Sequence, residues 1–141
     1  MKKMSTLILI LTISLRCLAP AAECFTLIAP EAIRPYEKIW LAVIAIESGG
    51  QQFAVGDKHL KEYSYGIAQL RRVRIEDYNR RTGSSYTIID AFDPKISKRI
   101  FYYYADLIGP CNQDKIIRSW NGSGKKTYIY LAKVRKQLLS L

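Results

Sequence analysis

Residues 40–50, WLAVIAIESGG, decide how the chain is read, because an apolar run from Trp40 to Ile46 closes on a carboxylate, Glu47, and then on Ser48, Gly49 and Gly50. Upstream, Pro35 suits the first position of a helix, where its missing N–H costs nothing, and Glu37 and Lys38 lead into the apolar run. A helix apolar on every side is a buried helix, so this segment predicts a core element. Glycine takes the left-handed cap conformation without penalty, so Gly49 and Gly50 predict its end. Glu47 is therefore expected at the C-terminus of a buried helix. Desolvation disfavours the charged carboxylate, and the partial negative charge at a helix C-terminus disfavours it further. Both effects raise the pKa toward the range of a general acid. The plainer alternative is that Glu47 turns outward into solvent where the helix ends.

Further along, Gln51 to Tyr65 has no helical period and mixes Gly56, Asp57, Lys58 and His59, which predicts a loop or a small irregular β-ribbon. Ile67, Leu70, Val73 and Ile75 suit a helix from Ile67 to Tyr78, with Gln69 inside it, interrupted by Thr82-Gly83-Ser84-Ser85. Asp93-Pro94 reads as an N-cap with proline at the first helical position. Ile96, Ile100, Phe101, Tyr104, Leu107 and Ile108 then recur at three- and four-residue spacing. Gly109-Pro110 stops that helix, a short one runs from Asn112 to Trp120, Asn121-Gly122-Ser123-Gly124 breaks it, and Thr127 to Leu139 forms the last. The fold class is α+β and mainly α-helical, with a small irregular loop or β-ribbon after the Glu47 helix.

The length of 141 residues, about half of them apolar, suits one domain with a real core. Lys2 and Lys3 precede an uncharged run from Met4 to Leu15, and Ala19-Pro20-Ala21 offers a small-x-small cleavage site. The run is shorter than the roughly 18 residues of a membrane span. Residues 1–21 are thus read as a signal peptide and 22–141 as the domain, exported to the periplasm or the exterior at the cell wall; the alternative is an uncleaved anchor. Arg16 before Cys17 and Glu23 before Cys24 argue against lipid attachment. Removing Lys2, Lys3 and Arg16 lowers the formal charge from +10 to +7 and leaves two cysteines, Cys24 and Cys111. They form either a disulfide, worth roughly 4 to 5 kcal/mol by chain entropy, or two separate thiols. Surplus positive charge points to an anionic partner, and export favours wall polymer or a membrane surface over nucleic acid. His59 is the only histidine, with no second ligand at metal spacing, so neither a metal nor a cofactor is expected.

The segments AVIAIESGG (42–50), SYGIAQL (64–70), DAFDP (90–94), RSWNGSG (118–124) and YLAKV (130–134) resemble, in order and approximate spacing, the motifs of the soluble lytic transglycosylase catalytic domain, a branch of the lysozyme-like superfamily. The resemblance covers about Leu41 to Val134. It implies a lysozyme-like fold and cleavage of the β-1,4 bond between N-acetylmuramic acid and N-acetylglucosamine in peptidoglycan, with a 1,6-anhydromuramoyl product. By it, Glu47 protonates the leaving oxygen and then, as carboxylate, takes the proton of the muramoyl 6-hydroxyl. Ser48 matches the serine beside the acid, and Gln69 matches the glutamine of the sugar-binding groove. Trp120 and Asn121 fall where the family has tyrosine and asparagine. An indole N–H donates but cannot accept, so a tyrosine hydroxyl near the acid is expected from elsewhere, from Tyr63 or Tyr65. Phe92, Asp93 and Pro94 match a helix start. The resemblance also implies peptidoglycan glycan strands as ligand, a monomer, and a secretion or conjugation apparatus as partner. Two rival readings stay open. A hydrolytic muramidase needs a second carboxylate about 5 to 9.5 Å away, from Asp57 or Glu62, which otherwise read as solvated loop residues. A non-catalytic wall-binding or secretion-assembly module would keep only the groove.

Overall fold

The computed structural model describes residues 35–141. Residues 1–21, expected to be a signal peptide, and Cys24 lie outside the described residues, while Cys111 is exposed.

A turn through Pro35 and Tyr36 leads into α1 (Glu37–Ser48), so Pro35 precedes the helix and does not occupy its first position. The C-terminus follows expectation. Gly49 is left-handed at φ 64°, its N–H reaches Ala45 O at 3.2 Å, and the Gly50 N–H reaches Ile44 O at 3.2 Å. This satisfies the carbonyls of the last turn and leaves the chain free to turn away directly after Glu47 and Ser48. Burial on every side is not observed: Ile39, Trp40, Ala42 and Val43 are buried, but Leu41 is 40% exposed. The elements packed on α1 cover one side of it, and the unbroken apolar run extends beyond that face.

The polar segment after α1 is a ribbon. Strands β1 (Val55–Gly56) and β2 (Ser64–Tyr65) pair antiparallel, with Val55 opposite Tyr65. A third strand, β3 (Leu70–Arg71), pairs with β2, placing Ser64 opposite Arg71 and Tyr65 opposite Leu70. This strand replaces the start of the helix expected from Ile67; α2 begins only at Arg72 and runs to Thr82. Gly66 (φ 74°) and Gln69 (φ 51°) both take left-handed backbone, which a right-handed helix cannot contain. The Gln69 amide braces the turn, with Nε2 donating to Gly66 O at 2.9 Å and Oε1 accepting from Ser64 Oγ at 2.6 Å.

Gly66 is also fixed by contact. A Cβ there would stand 1.9 Å from Ala91 O, a carbonyl that already accepts the buried Ser97 hydroxyl at 2.8 Å. Gly66→Ala is expected to cost about 2 to 3 kcal/mol, from left-handed strain and overlap together. Urea unfolding measures it; a loss under about 0.5 kcal/mol, the size of an ordinary surface change, would show that the turn yields.

The 3₁₀ turn Ile89–Phe92 leads to Asp93, whose carboxylate accepts the Lys95 N–H at 2.8 Å and caps α3 (Pro94–Ile108) as expected. Asn112 caps α4 (Gln113–Asn121) through the Lys115 N–H at 3.1 Å, and α5 (Lys126–Leu138) follows. Helix α1 packs on α5 and α4, α5 lies along α4, and α3 closes on α4. Trp40, Phe101 and Trp120 form a chain of rings through this core, with centroids 5.4 Å and 5.0 Å apart. Val43, Ile117 and Val134 are fully buried beside them. The described residues are therefore mainly helical with one small three-stranded antiparallel sheet.

Candidate functional site

Glu47, one residue before the end of α1, lines a cavity of about 330 Å³. The ribbon contributes Asp57, the β3–α2 junction Gln69, Arg71, Val73 and Arg74, and the end of α4 Trp120, Asn121 and Gly122. From the core side comes Tyr130 of α5, buried, whose phenol donates to Glu47 Oε1 at 2.6 Å. Burial pushes the Glu47 carboxyl above the usual carboxylate range; the Tyr130 hydrogen bond pulls it down, nearby Asp57 adds to the rise, and Arg74 and Arg71 oppose it. Burial, and then the charge of Glu47, push the Tyr130 phenol far up, so it remains a donor throughout the accessible pH range. With Oε1 engaged by Tyr130, Oε2 is the oxygen left to carry and pass a proton.

Arg74 is the second residue that sequence reading missed. Its guanidinium lies 4.4 Å from the Trp120 ring centroid and 5.1 Å from that of Tyr104. Its Nη2 donates to Trp120 O at 3.0 Å and Ser119 O at 3.2 Å, satisfying carbonyls at the C-terminal end of α4. Burial lowers its pKa, yet a guanidinium keeps its charge in water-accessible pH. The same side chain thus holds the α4 end in place and supplies a cation to the cavity. In sequence it belongs to the Arg71, Arg72, Arg74 group, which reads as surface charge. Tyr130 had a legible signal: with Thr127, Leu131 and Val134 it falls on the inward side of α5.

The other expected residues divide. Ser48 does not line the cavity; its hydroxyl donates to Ile67 O at 2.7 Å and Ile44 O at 3.3 Å, tying the end of α1 to the turn that carries Gln69. Gln69 does line it, but precedes β3 and lies outside any helix, and its amide is engaged by Gly66, Ser64 and, at 3.4 Å, Ala54 O. Trp120 lines it too, buried, with its indole N–H taken up by Ala68 O at 3.2 Å and its ring covered by the Arg74 guanidinium. Asn121 is exposed at the rim. Tyr63 and Tyr65 do not supply the hydroxyl at Glu47. They line a separate cavity of about 210 Å³ together with Glu62, because the β1–β2 ribbon turns them toward Arg72 and Ile88. Of the two second carboxylates considered, only Asp57 shares the cavity of Glu47, and its Oδ2 accepts from Arg71 Nη2 at 2.7 Å and Nε at 3.2 Å.

Among the described residues, no three His, Cys, Asp or Glu side chains come together as metal ligands. What the geometry defines is a helical domain with a polar cleft around one partly buried carboxyl group whose pKa is raised by burial. Comparison with protein-family models, with curated proteins and with solved structures finds no match to the chain.

Proposed function

We propose that the chain is an exported, lysozyme-like lytic transglycosylase that cleaves the β-1,4 bond of peptidoglycan glycan strands, with Glu47 as its sole acid and base. The observation that carries this reading is the Glu47–Tyr130 pair, a buried phenol donating at 2.6 Å to a carboxyl whose pKa is raised by burial, at the wall of an open polar cavity. A carboxyl whose pKa is raised by burial keeps its proton to higher pH than an ordinary carboxylic acid and can give it to a leaving glycosidic oxygen, and the carboxylate so formed can then accept the proton of the muramoyl 6-hydroxyl. That hydroxyl oxygen attacks the anomeric carbon, the glycosidic bond breaks, and Glu47 ends the cycle protonated. Tyr130 donates to Oε1 in both states, and Arg74 and Arg71 favour the carboxylate while it exists. Asn121 offers an amide that both donates and accepts to a sugar in the cavity. In this reading the protein acts at the cell wall as a monomer, serving a secretion or conjugation apparatus.

One observation favours a second reading. Asp57 stands in the same cavity, so a hydrolytic muramidase with Asp57, and not Glu62, as second carboxylate is its form. The deciding experiment is mass spectrometry of muropeptides released from purified sacculi, with Glu47→Gln as control. Products about 18 Da lighter than hydrolytic ones, one water fewer, are expected. Products carrying the added water would transfer the reaction to the Asp57 mechanism, and no products from the active-form protein would sink both.

A further inference from the structure

From Lys115 to Leu141 the chain carries seven lysines and arginines and neither aspartate nor glutamate. Helix α5 organises most of them. Its inward side buries Thr127, Tyr130, Leu131 and Val134. At 3.6 residues per turn, Lys125, Ile129, Ala132, Lys136 and Leu139 fall along the opposite side, flanked by Lys126, Lys133 and Tyr128. Ile129 is 64% exposed, Leu139 90% and Tyr128 57%. Arg118 of α4 extends the patch, its guanidinium 3.8 Å from the Tyr128 ring centroid. Arg135, at the margin, pairs with Asp114 at 2.6 Å, whereas Lys125, Lys126, Lys133 and Lys136 have no ion pair among the described residues.

We infer that the outward face of α5 docks the protein onto an anionic lipid bilayer. A row of lysines attracts any polyanion, but the apolar stripe between them selects among polyanions. Isoleucine and leucine gain nothing against a phosphodiester polymer, whereas at the boundary between headgroups and acyl chains they are removed from water. Tyrosine with its polar tip suits the same depth, and basic flanks suit the headgroups. Among the described residues no helix is long and apolar enough to cross a membrane, so α5 would lie on the surface. Because Tyr130 leaves the opposite side of α5 to meet Glu47, a bilayer on the outer face leaves the cavity open. This surface stands independently of the reaction proposed above.

The test places a reporter on the stripe itself. Ile129→Trp in the full chain is titrated with vesicles of phosphatidylcholine containing phosphatidylglycerol, with phosphatidylcholine alone and with heparin, after subtracting the emission of Trp40 and Trp120 from the unsubstituted protein. The expected result is a blue shift with the anionic vesicles only, and a roughly thirty-fold weaker apparent affinity when Lys133→Gln and Lys136→Gln are added, about five-fold for each charge. All three substitutions are at exposed positions, and the N-terminal segment is common to every variant. No shift, an equal shift with neutral vesicles, or a shift insensitive to the two lysines would overturn the inference. Binding to heparin without a shift on vesicles would also overturn it, giving the face to a soluble polyanion.

Discussion

Glu47→Gln is expected to lower wall cleavage by about 10² to 10⁴-fold, the usual contribution of a positioned general acid, while leaving the fold intact. Glutamine keeps the shape of the side chain and keeps an oxygen to accept the Tyr130 hydrogen bond, which is 2.6 Å long in the parent. Only the transferable proton is lost. Stability should move the other way. The Glu47 carboxyl has its pKa raised in the folded state by burial, so the folded protein binds that proton more tightly than the unfolded chain. The associated stability is fully present below the unfolded pKa and is lost as pH rises through the folded value. Above the unfolded pKa the parent therefore bears a cost, either of burying the charge or of taking up the proton, that the amide does not, and the variant should melt at an equal or higher temperature. Clearing of purified sacculi and thermal unfolding, both at pH 7, check the pair of expectations. A variant that clears wall at near the parental rate would remove Glu47 from the acid role.

How far the sequence reveals this arrangement depends on how local its causes are. The end of α1 is local chemistry: Gly49 and Gly50 set the stop, and the stop fixes where Glu47 emerges. The Asp93-Pro94 start of α3 is local in the same sense. The β3 strand is not, because apolar positions at Ile67 and Leu70 fit a helix equally well. What excludes it is the close approach of Gly66 to Ala91 and the bracing of Gln69 by Ser64, contacts between segments. Glu47's position was legible and so was the inward side of α5, but the pairing of Tyr130 with Glu47 was not, since the two lie 83 residues apart and meet only when α1 and α5 pack. Tyr63 and Tyr65 were nearer in sequence and on the wrong face of the ribbon.

Arg74 shows why a charge cluster hides its members' roles. Arg71 is half-exposed and paired with Asp57, while Arg74, three residues on, is partly buried between two aromatic rings and bonded to the α4 carbonyls. Its position also extends the site. Val73 and Arg74 line a second cavity of about 390 Å³ with Tyr104, Leu107 and Ser119, so these two residues form the wall between the two cavities.

Tyr130→Phe should produce the other large effect, a fall in cleavage of roughly 10² to 10³-fold, the size seen when one preorganised donor is removed from a reacting centre. The phenol performs two tasks that a ring alone cannot. It orients the carboxyl by holding Oε1, and it lowers the energy of the carboxylate formed after proton transfer. Its removal therefore leaves Arg74 and Arg71 to oppose the effects of burial and of Asp57, and the Glu47 pKa rises further. The sign of the pH effect follows. In the proposed reaction protonated Glu47 acts first, so the rate falls as pH rises through its pKa, and a higher pKa moves that falling limb to higher pH. The variant should thus be slower at its optimum yet hold its relative activity further into the alkaline range. A purely structural loss would lower the rate at every pH without moving the limb. The pH–rate profiles of parent and Tyr130→Phe, measured on the same sacculi with intact folding confirmed by circular dichroism, separate the two. A limb that stayed in place or moved to lower pH would mean that Tyr130 packs against Glu47 without tuning it.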